Sequence, residues 1–142
     1  MNLRKDSCNA ISIILIVVCI CLYVLSCGYL NGVAMVKGEK WLDSKKDSPE
    51  INISGSWTSP EWGLATFKQE NGTKDVTGML GEYPVKGVVS GNKIYLFMYS
   101  GNSIHYFAEL NASDNNTMNG LYSKYGIIDD DAVRKDTARY SS

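Results

Sequence analysis

The chain has 142 residues, with 14 Lys and Arg against 15 Asp and Glu and a formal charge of −1, which leaves room for one domain and its appendages. Hydrophobic residues at 44% and charged residues at 20% lie near the globular average, which argues against a wholly disordered chain and against a polytopic membrane protein. No basic excess exists to release counterions, so nucleic acid is not an expected partner, and all 4 cysteines precede residue 28, so the body has neither a disulfide scaffold nor a cysteine metal site.

Arg4 and Lys5 come before an apolar run from Ala10 to Leu25 that only Ser12 interrupts. Such a start is expected to enter a membrane with its basic end in the cytoplasm and the body exported. Two anchors fit. Val24-Leu25-Ser26-Cys27 resembles the lipobox of bacterial lipoproteins. That resemblance implies that residues 1–26 are a signal peptide removed by cleavage and that Cys27 is lipidated. Gly28 in place of Asp then implies, in a Gram-negative cell, onward export to the outer membrane. Alternatively, Ala10 to Leu30 supplies the ~20 residues that a transmembrane helix needs to cross ~30 Å of hydrocarbon, and the span is kept. Under either reading the partner is membrane lipid, met through Cys27 or through residues 10–30, and the body belongs to the cell envelope.

Residues 27–50 mix Gly, Lys, Asp, Ser and Pro without a sustained apolar period. A flexible tether is expected there, with a reach of about 25–30 Å. Trp41-Leu42 offers the alternative of packing back on the domain.

From Ile51 to Tyr125 short apolar segments are punctuated by Gly, Asn and Ser, the pattern of strands rather than helices. Strands are expected near 52–58, 63–70, 75–81, 85–90, 93–100, 103–111 and 117–123. Turn chemistry at Asn71-Gly72, Gly91-Asn92 and Gly101-Asn102 joins neighbours as antiparallel hairpins. The run Ile94-Tyr95-Leu96-Phe97-Met98-Tyr99 is apolar on both faces and is expected to be covered twice. In the next strand Ile104, Tyr106, Ala108 and Leu110 read as one core face, which Phe107 disturbs on the other. Ile53-Ser54-Gly55, Val76-Thr77-Gly78, Val89-Ser90-Gly91 and Met118-Asn119-Gly120 share a pattern of apolar, small polar, glycine. Glycines inside strands allow the bending that closure requires, whereas turn glycines carry no such meaning. The expected fold is all-β, a small antiparallel up-and-down meander barrel of seven or eight strands behind an N-terminal hydrophobic helix or signal. In the tail, 126–142, a short helix and an eighth closing strand over Val133 to Tyr140 both remain open.

Ile53-Ser54-Gly55-Ser56-Trp57, with Gly63 to Phe67, the Asn71-Gly72 turn and Val76-Thr77-Gly78, resembles the first hairpin of avidin and streptavidin and the Gly-x-Trp entry of lipocalin-like calycins. The resemblance implies an eight-stranded barrel with Trp57 plugging one end. Biotin binding is not implied, because Ser59 and Leu80 stand where avidins place polar groups on the ligand.

His105 is the single histidine, and no nucleophile elbow, phosphate loop or metalloprotease motif accompanies it. It is expected to be solvated or paired within a hairpin. Asp129 to Asp131 lack the spacing of a calcium loop, so no metal or cofactor is expected. The candidate ligand or core aromatics are Trp57, Tyr83, Tyr95, Phe97, Tyr99, Tyr106 and Tyr122. The expected function is a non-catalytic, membrane-anchored binding module for a hydrophobic small molecule or an envelope protein; the alternative is a structural, scaffolding or inhibitory domain on a single span. An enclosed void of roughly 300 Å³ or more favours the small molecule, and a solid interior favours protein contacts through the outer surface or rim.

Overall fold

The computed structural model describes residues 14–19, 34–114, 116–124, 126–131 and 134–142. Cys27, Tyr125 and most of the apolar run lie outside the described residues. Residues 14–19 form a helix, α1, and 34–43 form a second, α2. Among the described residues no helix is long and apolar enough to cross a membrane.

The body is a closed antiparallel barrel of eight strands in sequence order: β1 Gly55–Ser59, β2 Gly63–Gln69, β3 Asp75–Leu80, β4 Tyr83–Ser90, β5 Lys93–Ser100, β6 Ser103–Asp114, β7 Thr117–Lys124 and β8 Lys135–Ser141. The all-β meander expected from the sequence is what forms, and of the two readings of the tail the closing strand is the one realised. Gly91-Asn92 and Gly101-Asn102 make the tight hairpins anticipated, with both glycines at positive φ (62° and 56°). Asn71-Gly72 instead sits within a looser connection over 70–74, where Thr73 N–H donates to the Glu70 carbonyl at 3.0 Å.

Alternation fills the interior: Trp57, Ala65, Phe67, Val76, Leu80, Val85, Val89, Ile94, Leu96, Met98, Ala108, Leu110, Met118, Ala138 and Tyr140 form one buried cluster. The shared glycine pattern divides. Gly78 and Gly120 face inward opposite Phe67 and Leu110, and a Cβ on either would collide with a backbone carbonyl of the neighbouring strand, that of Thr66 or Glu109. The sheet is bent too tightly there for any other residue. Gly91 is a turn glycine only.

One end of the barrel is sealed by the chain leading into β1. Ile51 and Ile53 lie across it, clamped by the buried Gln69 amide, whose oxygen accepts from Ile53 N–H at 3.0 Å. The amide nitrogen donates to the carbonyls of Thr73 at 2.9 Å and Ile51 at 3.3 Å. A buried primary amide is tolerated because its groups are matched in this way.

The second layer corrects the tether reading from residue 34 onward. Met35, Gly38, Trp41 and Leu42 share one face of α2, while Lys37, Glu39, Lys40 and Asp43 point to solvent. This stripe is two turns long, too short to register as a sustained period. It covers the outer face of β4 to β6, packing on Val88, Tyr95, Phe97, Ile104 and Phe107. Gly38 is the point of closest approach, since a Cβ there would collide with Ile104 Cδ1. The double-sided apolarity of β5 is thereby explained: Ile94, Leu96 and Met98 face the interior, whereas Tyr95, Phe97 and Tyr99 meet α2.

Phe107 is accounted for by the same layer, and Ile104 changes face. β5 and β6 pair Met98 with Tyr106 but Tyr99 with Ile104, so His105 is an extra residue, a β-bulge. Tyr106, Ala108 and Leu110 point inward, and Ile104 joins Phe107 outside. Asp129 fastens the layer by accepting from Trp41 Nε1 at 3.0 Å and from Lys45 Nζ at 2.9 Å. Desolvation acts to raise the Asp129 pKa, but the hydrogen bonds from Lys45 and Trp41 and the charges of Lys45 and Lys135 prevail and hold the carboxyl below its usual range.

Candidate functional site

The end opposite the Gln69 clamp is open. Its floor is an aromatic trio: Trp62, from the turn between β1 and β2, meets Tyr106 of β6 at 4.7 Å and Tyr122 of β7 at 4.9 Å between ring centroids, both edge-on. The two tyrosines lie 6.0 Å apart, and Lys124 Nζ stands 5.7 Å from the Tyr106 ring. Such edge-to-face contacts are worth about 0.5–1.5 kcal/mol each beyond area burial. Below the trio, among Phe67, Leu96, Ala108 and Tyr140, the free space is only about 10 Å³. That is no more than a single water needs, in a lining without a polar cradle, so among these described residues the interior is solid. Burial in it pushes the Tyr140 hydroxyl pKa far up.

Above the trio lies a vestibule of about 520 Å³, lined by Trp62, Leu80, Tyr83, Met98, His105 and Tyr106, with Glu61 and Glu82 at its edge. Each element contributes for a local reason. The turn at 60–62 carries Trp62 because no strand alternation constrains it there, and the bulge turns His105 out of the sheet toward Tyr83, whose ring centroid is 6.2 Å away. Ser59, buried at the end of β1, donates its hydroxyl to Glu61 at 2.8 Å and accepts from Glu61 N–H at 3.3 Å. The Ser59 hydrogen bond is the main reason that the Glu61 carboxyl is held below its ordinary pKa, against a smaller desolvation effect and with help from Arg139. The mouth thus combines an aromatic and thioether wall with one fixed carboxylate, that of Glu61, which suits an apolar body bearing a donor group.

The expected aromatics separate into three places. Tyr106 and Tyr122 form the mouth with Tyr83 at its rim. Trp57 is buried toward the sealed end, where its Nε1 donates to the Ile53 carbonyl at 2.9 Å, so it plugs that end and lies away from the vestibule. Tyr95, Phe97 and Tyr99 belong to the outer layer beneath α2. Cys27, the lipidation candidate, lies outside the described residues. Sequence reasoning misses Trp62, and it expects His105 to be solvated or paired within a hairpin without foreseeing the bulge that brings it to the vestibule. The available signal was a large aromatic isolated in Pro60-Glu61-Trp62-Gly63, a turn that has no structural need of one.

A second groove, of about 540 Å³, runs between residues 47–50 and 90–93 and is lined mainly by polar groups such as Asp47, Ser90 and Asn92. Among the described residues, no group of His, Cys, Asp or Glu is placed to hold a metal ion. No protein family, no curated protein and no solved structure matches the chain.

Proposed function

We propose that this chain is an exported, membrane-anchored binding module without catalytic activity, whose vestibule takes the apolar portion of a hydrophobic small molecule. The observation that carries this reading is the 520 Å³ aromatic vestibule at one end, an open void large enough for a ligand, whereas the solid barrel interior beneath it taken alone favours a protein contact at the rim. A ligand is met at the mouth and does not thread the barrel, and the volume matches part of a drug-sized molecule. An envelope protein inserting one side chain into the vestibule is the alternative occupant. The anchor rests on the Val24-Leu25-Ser26-Cys27 lipobox resemblance, with a retained span as the other form.

Dansyl-labelled undecanoic acid, titrated against the full-length chain in detergent micelles, tests the binding half. Saturable dansyl emission excited through Trp62 is expected, and it is lost in a Tyr83→Ala/His105→Ala variant of unchanged circular dichroism. Equal signals from both proteins, or none from either, overturn it. Metabolic palmitate labelling that disappears in Cys27→Ala supports the lipidated anchor, and an unlabelled wild type removes it.

A further inference from the structure

Of the four most exposed large apolar side chains described on the barrel strands, three gather at one pole, and Leu121 stands apart in the middle of β7. Leu64 stands at the start of β2, Met79 near the end of β3 and Tyr83 at the start of β4, with 61%, 40% and 41% of their surfaces exposed. Gly81 N–H donates to the Leu64 carbonyl at 2.9 Å and Met79 pairs with Pro84, so Leu64 and Met79 lie near each other on the outer side of the lip, with Tyr83, the partner of Leu80, on its inner edge. The turns of the sealed end carry Glu70, Asn71, Asn92 and Asn116 instead. A cluster of exposed Leu, Met and Tyr rimmed by polar residues marks a contact surface.

The course of α2 indicates what that surface meets. Gly38 sits against Phe97 and Ile104, Trp41 against Tyr95 and Phe107, and Asp47 N–H reaches Ser90 Oγ at 3.1 Å. These contacts descend β5 from its mouth end, so α2 begins at the mouth and runs toward the sealed end. Val36, in its first turn, is itself 52% exposed. The chain therefore reaches the body from its anchor at the mouth. Residues 28–33 separate Cys27 from α2 and, fully extended, allow at most about 25 Å.

We infer that the barrel docks mouth-first on the lipid surface that anchors it, with Leu64, Met79 and Tyr83 seated at headgroup level. This rests on the anchored reading above. Leu and Met supply apolar area, and a tyrosine ring suits the interface between headgroups and acyl chains. Glu61 and Glu82 share the rim with Lys124, which stands over the Tyr106 ring, so the mouth offers no one-signed field to anionic lipid and binding is apolar and nearly independent of salt. The vestibule then opens toward the bilayer, and its ligand is drawn from molecules dissolved there.

The test uses the full-length chain in phosphatidylcholine vesicles whose acyl chains are brominated, with the native tryptophans as a common background. Met79→Trp on the lip and Glu70→Trp at the sealed end both replace exposed residues, and circular dichroism confirms that each folds. Quenching of the added tryptophan several-fold stronger at 79 than at 70 is expected. Equal quenching in a chain that floats with the vesicles overturns the docking and leaves the anchor standing. A chain that does not float overturns both. Emission at 79 shielded from bromolipid and from aqueous iodide places protein on the lip, a second copy included, and also overturns the lipid docking.

Discussion

Trp41, Tyr95 and Phe107 sit outside the sheet with Lys45 over two of their rings, at 4.4 Å from Tyr95 and 5.3 Å from Trp41. Trp62, Tyr106 and Tyr122 sit inside it with only the vestibule above them. Both are edge-to-face groups built around one tryptophan. The outer tryptophan is buried, its ring nitrogen is held by Asp129, and it joins a helix to the barrel. The mouth tryptophan is half-buried and comes from a turn. Nearly the same residue types thus serve cohesion in one place and present a surface in the other, and what separates them is whether another element has been laid on top.

Truncating the two tryptophans breaks the comparison most directly. Trp41→Ala is expected to destabilise by about 3–5 kcal/mol, as for a fully buried aromatic, and Trp62→Ala by about 1–3 kcal/mol, chiefly its two edge-on tyrosine contacts, because solvent already reaches its ring. Urea unfolding monitored by far-ultraviolet circular dichroism measures both, and equal losses would remove the distinction. At the sealed end, Gln69→Leu leaves Ile53 N–H and the Thr73 and Ile51 carbonyls without their partner, and about 1–3 kcal/mol should be lost in the same assay.

Acid separates the two groups more gently. The Asp129 carboxyl is depressed in the folded state, so its contribution is complete above the unfolded value near about 3.9 and is lost as pH falls through the lower folded value. With its side chain 48% exposed, the Lys45 pair contributes no more than about 1 kcal/mol. Below about pH 4 the near-ultraviolet signal of the outer group should weaken before the barrel melts, and Asp129→Asn should abolish that separate step. The smallest effect belongs to the rim: Tyr83→Ala should alter stability by less than about 0.5 kcal/mol while weakening occupancy of the vestibule, as read by the dansyl titration.

The barrel was legible because alternation and turn glycines report directly on pairing, and seven strand positions could be read from them. The eighth was ambiguous because Asp129 to Lys135, acids before bases, imitates a helix. α2 escaped notice since Gly38 stands at the centre of its buried face, where a hydrophobicity pattern needs a large residue and close packing needs none. The mouth was only half visible. Tyr106 is on the expected face and Tyr122 among the expected aromatics, but a bulge at His105 leaves no mark in composition, and it alone decides that Ile104 and Tyr106 part company. Trp62 belongs to a turn, where periodicity carries no information.

The strap formed by α2 and the segment after it runs down the outside of β5 and re-enters upward as β1. A pull on the chain ahead of residue 34, directed away from the mouth, therefore loads that strap along its own length. Such a load strains its grip on Phe97, Tyr95 and Ser90 together, in shear, and does not peel the contacts apart one by one. Tension applied at residue 34 thus meets the layer in shear, the direction in which all these contacts resist together.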